Sequence, residues 1–464
     1  MSISEINSDI PLLPGDTTIF GVLCVILAFI FYTSKLQRFA KFYSIIPALL
    51  LCYFIPSIFS SLGIIADKWI DVTEAIKHLN SLYGNLDGVT NLETLKNYIS
   101  SNQVKDSDYS QFVGGSKLYY VSSRFLLPAS LVLLTLSIDL KGVFKLGPKA
   151  LIMFLTATIG VMIGGPIAIL FFNYVAPDIL VQVEGTELWK GLSTVAGSWI
   201  GGGANQLAMK EQWEVGDSLF SIMAVVDVLV AEVWMAFLLL GVAKSDAIDR
   251  WLKADNSSIT ALKNKMEKFT LETARIPSFN DLMILLGIAF GVTSIGHLVG
   301  DNLGGWIKEN APTLVDLGLG SSFFWLIITA TTVGIFLSFT KAKSYEGAGA
   351  SKIGTVFIYI LVASIGMKMN LNAIVDNISL FAIGFVWMIF HVGLLFLVAK
   401  IIKAPYFFLA VGSKANIGGA ASAPVVAGAF HPSLAPVGVL LAVLGYALGT
   451  YGAFACALMM KWVS

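Results

Sequence analysis

Charge is scarce in this sequence. Only 13% of its 464 residues are Asp, Glu, Lys or Arg, against about 25% in a typical soluble domain. Together with a hydrophobic content of 56%, that shortage excludes an ordinary soluble globule. The charges present cancel, 30 basic against 30 acidic, so nothing marks a nucleic-acid partner. Cysteine is scarce: Cys24, Cys52 and Cys456 lie in apolar stretches without metal-ligand spacing and read as small core residues. No metal pair, Walker loop, nucleotide fingerprint or nucleophile motif occurs, so neither an enzyme nor a bound cofactor is expected. The first apolar segment follows Glu5, Asp9 and Asp16 without a basic n-region or a clear cleavage site, and is expected to be a true span.

Apolar stretches long enough to cross a bilayer are plentiful. They fall at 17–33, 43–64, 125–140, 149–173 and 218–243, then at 279–299, 323–340, 354–366, 380–399 and 436–460. The expected fold is an all-α polytopic membrane protein of about ten transmembrane helices plus two re-entrant or discontinuous elements. A polar insertion at 67–117 is expected to be an external cap, with short amphipathic helices at 72–83 and 92–99 and no necessary role in substrate handling.

The two further elements are rich in glycine. Residues 194–206 read T-V-A-G-S-W-I-G-G-G-A-N-Q, and 411–422 read V-G-S-K-A-N-I-G-G-A-A-S, aligned at a constant offset of 215. Gly197-Ser198 falls on Gly412-Ser413, Gly203 on Gly418 and Ser218-Leu219 on Ser433-Leu434. Each glycine costs a helix about 1 kcal/mol relative to alanine, so Gly201-Gly202-Gly203 disfavours a regular helix. A helix broken there exposes N–H groups suited to an anion and carbonyls suited to a cation. Small residues that merely let helices pack closely are the competing explanation.

Charge parity addresses the course of the first element. Lys35, Arg38 and Lys41 after the first span favour a cytoplasmic loop, hence an external N-terminus. The linker 244–278 carries Lys244, Arg250, Lys253, Lys263, Lys265, Lys268 and Arg275, which also favour the cytoplasm. Both hold if the 189–211 segment dips in and returns on one side. Five crossings per half then make 1–243 and 279–464 inverted-topology repeats. A second match supports this: S-I-D-L-K at 137–141 parallels S-I-G-M-K at 364–368.

Candidate substrate ligands are Ser198, Gly201, Gly202, Gly203, Asn205 and Gln206 in the first element. In the second they are Ser413, Lys414, Asn416, Gly418, Gly419 and Ser422. Ionisable groups inside spans mark function by default. Asp227 and Glu232, whose repeat counterparts are Ala442 and Ala447, are candidate coupling-ion residues, with Asn205 and Asn416. Lys414 suits an anionic solute or pairing with Asp227. Asp139 and Lys368 end matching spans, Lys368 as a snorkelling side chain. His297 and His391 read as satisfied core histidines.

S-W-I-G-G-G-A-N-Q and N-I-G-G-A-A-S-A-P, in two halves, resemble the YjcL-like family of uncharacterised multi-pass membrane proteins. More distantly the pattern is similar to the cation:proton antiporter and anion transporter clan, which includes sodium/glutamate symporters, 2-hydroxycarboxylate transporters and bile-acid sodium symporters. In the glutamate and citrate carriers, Gly-Gly-x-Gly re-entrant loops line the substrate site. Gly201–Gly203 matches loosely, and Gly418-Gly419 lacks the last glycine. The resemblance implies an elevator-type carrier, often a homodimer, with scaffold spans (17–64, 279–340) and mobile core spans (125–243, 354–464).

The expected function is secondary active transport of a small organic, anionic solute across the cytoplasmic membrane, coupled to Na⁺ or H⁺. Na⁺ would bind at the glycine-rich elements, and no transition metal is expected. The alternative is a monovalent cation/proton antiporter. A non-transporting sensor and an intramembrane enzyme using Ser198 or His391 rank below both.

Overall fold

The computed structural model describes residues 6, 8–43, 46, 48–84, 86, 88–136, 146–180, 183, 185–254, 276–315, 319–368, 377–431 and 434–464. Asp139, the 137–141 match and most of the 244–278 linker fall outside the described residues. Contacts divide the chain into two units, Met1–Arg124 with Tyr359–Leu371, and Phe125–Ile358 with Asn372–Ser464.

The first unit holds α1 (Asp16–Ser34) and α2 (Ala48–Ser61), then the insertion. The insertion is more than a loop. Strands β1 (Ser8–Asp9), β2 (Lys68–Ile70) and β3 (Val113–Gly115) form a sheet in that order, β1 parallel and β3 antiparallel to β2. Helices α3 (Val72–Tyr83) and α4 (Leu92–Ser101) stand at the expected amphipathic stretches. Asp71 caps α3 by accepting from the Glu74 amide at 3.0 Å, and Asn91 with Thr94 makes a capping box on α4. Ile6, Ile70, Ala75, Leu79, Leu95 and Ile99 bury a common apolar core. Asp16, in the first turn of α1, accepts from Ser116 Oγ at 2.8 Å and from the Lys117 amide at 2.9 Å, tying the insertion to the first span.

Two carboxylates of this small domain are held by tyrosine hydroxyls. The Tyr83 hydroxyl donates to Asp108 and the Tyr109 hydroxyl to Asp106, each at 2.6 Å. These hydrogen bonds hold both acids below the ordinary aspartate range. A folded-state pKa below the unfolded one contributes stability above the unfolded value, about 3.9, that is lost as pH falls through the folded value. Amide exchange in α3 and α4 is therefore expected to be pH-independent in excess of intrinsic rates above about pH 5 and to accelerate below about pH 4. Tyr83→Phe should weaken that acid response; an unchanged profile would refute this assignment.

The second unit is helical. It runs through α5 (Leu127–Leu136), α6 (Pro148–Val175), α7 (Leu188–Gly201), α8 (Gly203–Gln212), α9 (Asp217–Val242) and α10 (Ser245–Leu252). It continues with α11 (Phe279–Asn310), α12 (Ser322–Ser338), α13 (Ala350–Gly366, which carries residues of both units), α14 (Leu380–Ile402), α15 (Tyr406–Asn416), α16 (Gly419–Phe430) and α17 (Ala435–Val463). Seven helices among the described residues are long and apolar enough to cross a membrane, or nine if each of two sharply bent pairs is one span; α13 is a shorter apolar helix. The protein is thus a predominantly helical multi-pass membrane protein, all-α in its apolar part because long apolar helices satisfy their own backbone where water is absent, with the small sheet of the insertion as the departure from the expected all-α fold.

Small residues set the packing. Gly300 and Gly304 of α11 lie against Ser322, and Gly296 against Leu326, so α12 approaches along a small-xxx-small stripe. Gly164 and Gly165 of α6 receive Trp387 of α14, whose indole N–H donates to the Val161 carbonyl at 2.9 Å. Basic residues gather at one end of this unit. Lys149 Nζ bonds the Lys403 carbonyl at 3.0 Å, Lys400 bonds the Trp251 carbonyl, and Asp249 accepts from the Tyr406 amide at 2.7 Å.

Candidate functional site

Both glycine-rich elements are broken helices folded back into hairpins. The first breaks between α7 and α8 at Gly202, whose φ of 75° is open to glycine and strained for other residues. Its ends come together: Trp189 at the start of α7 and Trp213 just past α8 have ring centroids 5.0 Å apart. Near the tip, a Cβ on Gly197 would lie 2.9 Å from the Gln206 amide nitrogen, so the two arms touch backbone to backbone. The second breaks between α15 and α16 at Ile417 and Gly418, with Gly418 at φ 97° and Gly419 at φ 56°. Phe407 and Phe430, at its two ends, have centroids 5.2 Å apart. Gly202 and Ile417 differ by the offset of 215 read from the sequence.

The hairpins reach α9 from opposite ends. The mouth of the first lies at the first turn of α9: Gly191 abuts Leu219, and Lys210 pairs with Asp217 at 2.9 Å. The mouth of the second lies at the last turns, where the Tyr406 hydroxyl donates to the Leu238 carbonyl at 3.0 Å and packs on Gly241. Their inner parts meet α9 at mid-length. Gln206 Nε2 donates to Asp227 Oδ2 at 3.0 Å, and Lys414 Nζ donates to the Ala231 carbonyl at 3.3 Å.

Helix α17 crosses both tips. The Cβ that Gly445 lacks would lie 3.0 Å from the Ile200 carbonyl oxygen and 3.3 Å from that of Ala415. The C-terminal ends of α7 and α15 therefore converge there, and helix C-termini carry partial negative charge. One residue on, the Tyr446 ring lies 3.5 Å from the Cβ position of Gly202 and 3.9 Å from that of Gly419. Beside those glycines start α8 and α16, whose N-termini carry partial positive charge. Lys414 Nζ, fully buried, lies 3.4 Å from the Cβ position of Gly418. Carbonyl ends thus face Gly445, and amide ends with an ammonium surround the neighbourhood of Tyr446.

Two asparagines clamp the breaks with the same chemistry. Asn205 donates to its own helix at Gly201 O (3.0 Å) and to Tyr446 O of α17 (3.2 Å), and accepts from Thr450 Oγ1 (2.6 Å). Asn416 donates to Gly412 O (3.0 Å) and to Phe154 O of α6 (3.2 Å), and accepts from Thr158 Oγ1 (2.8 Å). Each clamp grips a carbonyl and the threonine four residues later on its neighbouring helix. An Asn→Ala change removes the amide that joins the two helices, while Thr158 still donates to the Phe154 carbonyl and Thr450 still meets Thr331 Oγ1, so the cost is about 1 kcal/mol. Asn205→Ala and Asn416→Ala should each lower thermal stability, whereas the Asn→Asp changes add a buried charge and should cost more. Equal stability of either alanine variant and the wild type would show that the clamp carries nothing.

The remaining predicted residues divide. Ser198 and Trp199 lie close enough to Asp227 to bear on its charge, and Lys414 acts on it through space. Glu232 is only half-buried and acts on Lys414. Ser413 joins a second network, accepting from Trp234 Nε1 at 2.8 Å and bonding His391 Nε2 at 2.9 Å; His391 is thus a buried histidine partnered at Nε2. Ser422 Oγ donates to the Ile417 carbonyl over a long 3.5 Å. The His297 ring lies tilted against Phe125, centroids 6.0 Å apart, and the Lys368 ammonium sits 4.1 Å from the Tyr119 ring centre. No cluster of three or more His, Cys, Asp or Glu occurs among the described residues. The sequence reading passed over Gly445, Tyr446, Gly449 and Thr450. The available signal was a pair of glycines four residues apart, each followed by a polar side chain, in an apolar span.

The family model described as Protein of unknown function (DUF819) matches residues 110–463, and the chain belongs to that family. It is also similar to the uncharacterized membrane protein YjcL of Bacillus subtilis (strain 168), 24% identical over 363 residues, covering 75% of this chain and 84% of that protein. Both hairpins lie within the matched residues.

Proposed function

We propose that this member of an uncharacterised family is a secondary active transporter for a small organic anion, coupled to Na⁺ or H⁺. The observation that carries the reading is the meeting of two opposed helical hairpins at α9 and α17, with separate negative and positive helix ends one residue apart on α17. A carboxylate or phosphate suits the N-termini of α8 and α16 beside Lys414, and a cation suits the carbonyl ends near Gly445. Such discontinuous helices at matching points of inverted halves are the usual form of a midplane transport site. The opposite approach of the hairpins supports the inverted repeat, and the basic end at Lys149, Lys400 and Lys403 supports a cytoplasmic placement of that end. The proposal extends to a homodimer working as an elevator in the cytoplasmic membrane, with N-terminus and insertion external.

The test is uptake by purified protein in liposomes under a sodium or proton gradient, over a panel of carboxylates, amino acids and small peptides. Gradient-dependent accumulation of an anionic solute is expected. Exchange of Na⁺ for H⁺ with no solute moved would instead favour the antiporter reading. Neither activity across the panel would refute transport as proposed.

A further inference from the structure

A cavity of about 340 Å³ lies at the mouth of the first hairpin, away from the tips. It is bounded by the end of α6, the start of α7 and the end of α17, and its size sits at the low end of small-molecule sites, about 300–1,000 Å³. Asn173 Nδ2 holds the end of α17 by donating to the Val463 carbonyl at 3.0 Å. The wall combines three chemistries. Ile169 and Leu180 are apolar; Glu187 supplies a carboxylate; Lys461 supplies an ammonium. The Trp189 ring also lines the cavity, with Lys461 Nζ 5.8 Å from its centre. Lys190 pairs with Glu187 at 3.4 Å and is also 5.8 Å from that ring.

The level of this cavity in the membrane can be read from its neighbours. Tyr174, at the end of α6, is 91% exposed, and Trp462, near the end of α17, is 73% exposed. Exposed Tyr and Trp at the ends of apolar helices mark the boundary between hydrocarbon and headgroups. A site at that depth is open to phospholipid. Its charge pattern is zwitterionic: an ammonium for a phosphate, and a carboxylate with an aromatic face for an amine. Glu187 meets Lys190 through Oε2 at 3.4 Å and is half exposed, so its carboxylate can still accept from a primary ammonium, which an anionic headgroup lacks. A choline headgroup has no N–H to donate to the carboxylate.

We propose that this cavity binds the headgroup of phosphatidylethanolamine, with phosphate toward Lys461 and the primary ammonium toward Glu187 and Trp189. The acyl chains would leave along Ile169 and Leu180. Because Trp189 opens α7 and packs on Trp213 at the other end of the hairpin, bound lipid braces the mouth of that hairpin. The inference needs no particular transported solute, so it stands or fails apart from the function proposed above.

The experiment uses the full chain purified in detergent. Native mass spectrometry of the wild type with equal amounts of dioleoyl phosphatidylethanolamine, phosphatidylglycerol and phosphatidylcholine should show selective retention of one phosphatidylethanolamine. The same lipid should raise the unfolding midpoint by roughly 2 °C or more, with smaller shifts from the other two. Glu187→Gln and Lys461→Met should each lose the selectivity, while Lys308→Met, on α11, should keep it. Equal retention of the three lipids by the wild type overturns the proposal without any variant. So does an equal shift from soluble glycerophosphoethanolamine, which would make the ligand a free zwitterion rather than a lipid.

Discussion

Asp227→Asn is expected to abolish gradient-driven uptake and to remove any stabilisation by Na⁺. The carboxylate is buried at mid-length of α9, receives Gln206 Nε2 at 3.0 Å, and has Ser198, Trp199 and the Lys414 ammonium acting on it. An amide keeps the shape and removes the charge, so the coupling ion loses its counter-charge while the fold keeps its packing. Lys414→Met is expected to fail for the complementary reason, by removing the cation at the N-terminal end of α16. Removing one member of a buried pair costs about 3–5 kcal/mol when the two are in contact. Here Lys414 bonds the Ala231 carbonyl instead, so about 2 kcal/mol for each single change is the expected scale. The double variant Asp227→Asn/Lys414→Met should then be more stable than the sum of the singles implies, by about 1 kcal/mol. Strict additivity would mean that the two charges do not sense each other. Wild-type uptake by Asp227→Asn would make Asp227 structural.

Gly201→Ala is expected to be strongly destabilising. The added carbon would fall on Asn205 Nδ2, 2.6 Å from Gly449 Cα and 2.9 Å from the Gly445 carbonyl. Two of those three are backbone of α17 and cannot rotate away. Overpacking of this kind costs about 1–3 kcal/mol and occasionally more, and it also displaces the Asn205 clamp. The matched control is Gly287→Ala in α11, where the new methyl meets nothing within 4 Å. That change should be neutral or stabilising, by up to about 1 kcal/mol, because alanine is the better helix former. The comparison is read from thermal unfolding of the two detergent-purified variants. Equal stability would show that α7 and α17 are not held in close backbone contact at this crossing.

How much of the site was legible follows from how local each signal is. The breaks lie within the glycine runs because backbone conformation at Gly202 and Gly418 depends on the residue itself, through φ values that a Cβ opposes. The hairpin course of the first element was readable from lysine and arginine placement, since charge parity allowed one segment to return on its own side. The asparagine clamps were not readable. Asn205 was singled out as a ligand candidate, yet its partners Tyr446 and Thr450 stand 241 and 245 residues away. Aligning the halves pairs Asn205 with Ala420 and Asn416 with Gly201, so the shared chemistry of the clamps is hidden by their unlike positions. The insertion shows the same limit: its helices were visible as periodicity, but its core depends on Ile6 and Tyr109 packing with them from either end of a long stretch.

Sequence alone sufficed for the class of this protein, for the rough positions of its long apolar helices and for the two places where helices must break, although seven helices among the described residues, or nine counting bent pairs, are long and apolar enough to cross where ten spans were expected. Those properties depend on transfer of side chains into hydrocarbon and on glycine's backbone freedom, both set residue by residue. Tertiary structure alone decided what surrounds each break. It brought the carbonyl ends of α7 and α15 together at Gly445, set Tyr446 against both hinges, and put Lys414 beside Ala231 and near Asp227. Such contacts are made by helices crossing at angles and depths that small residues permit but no single stretch encodes.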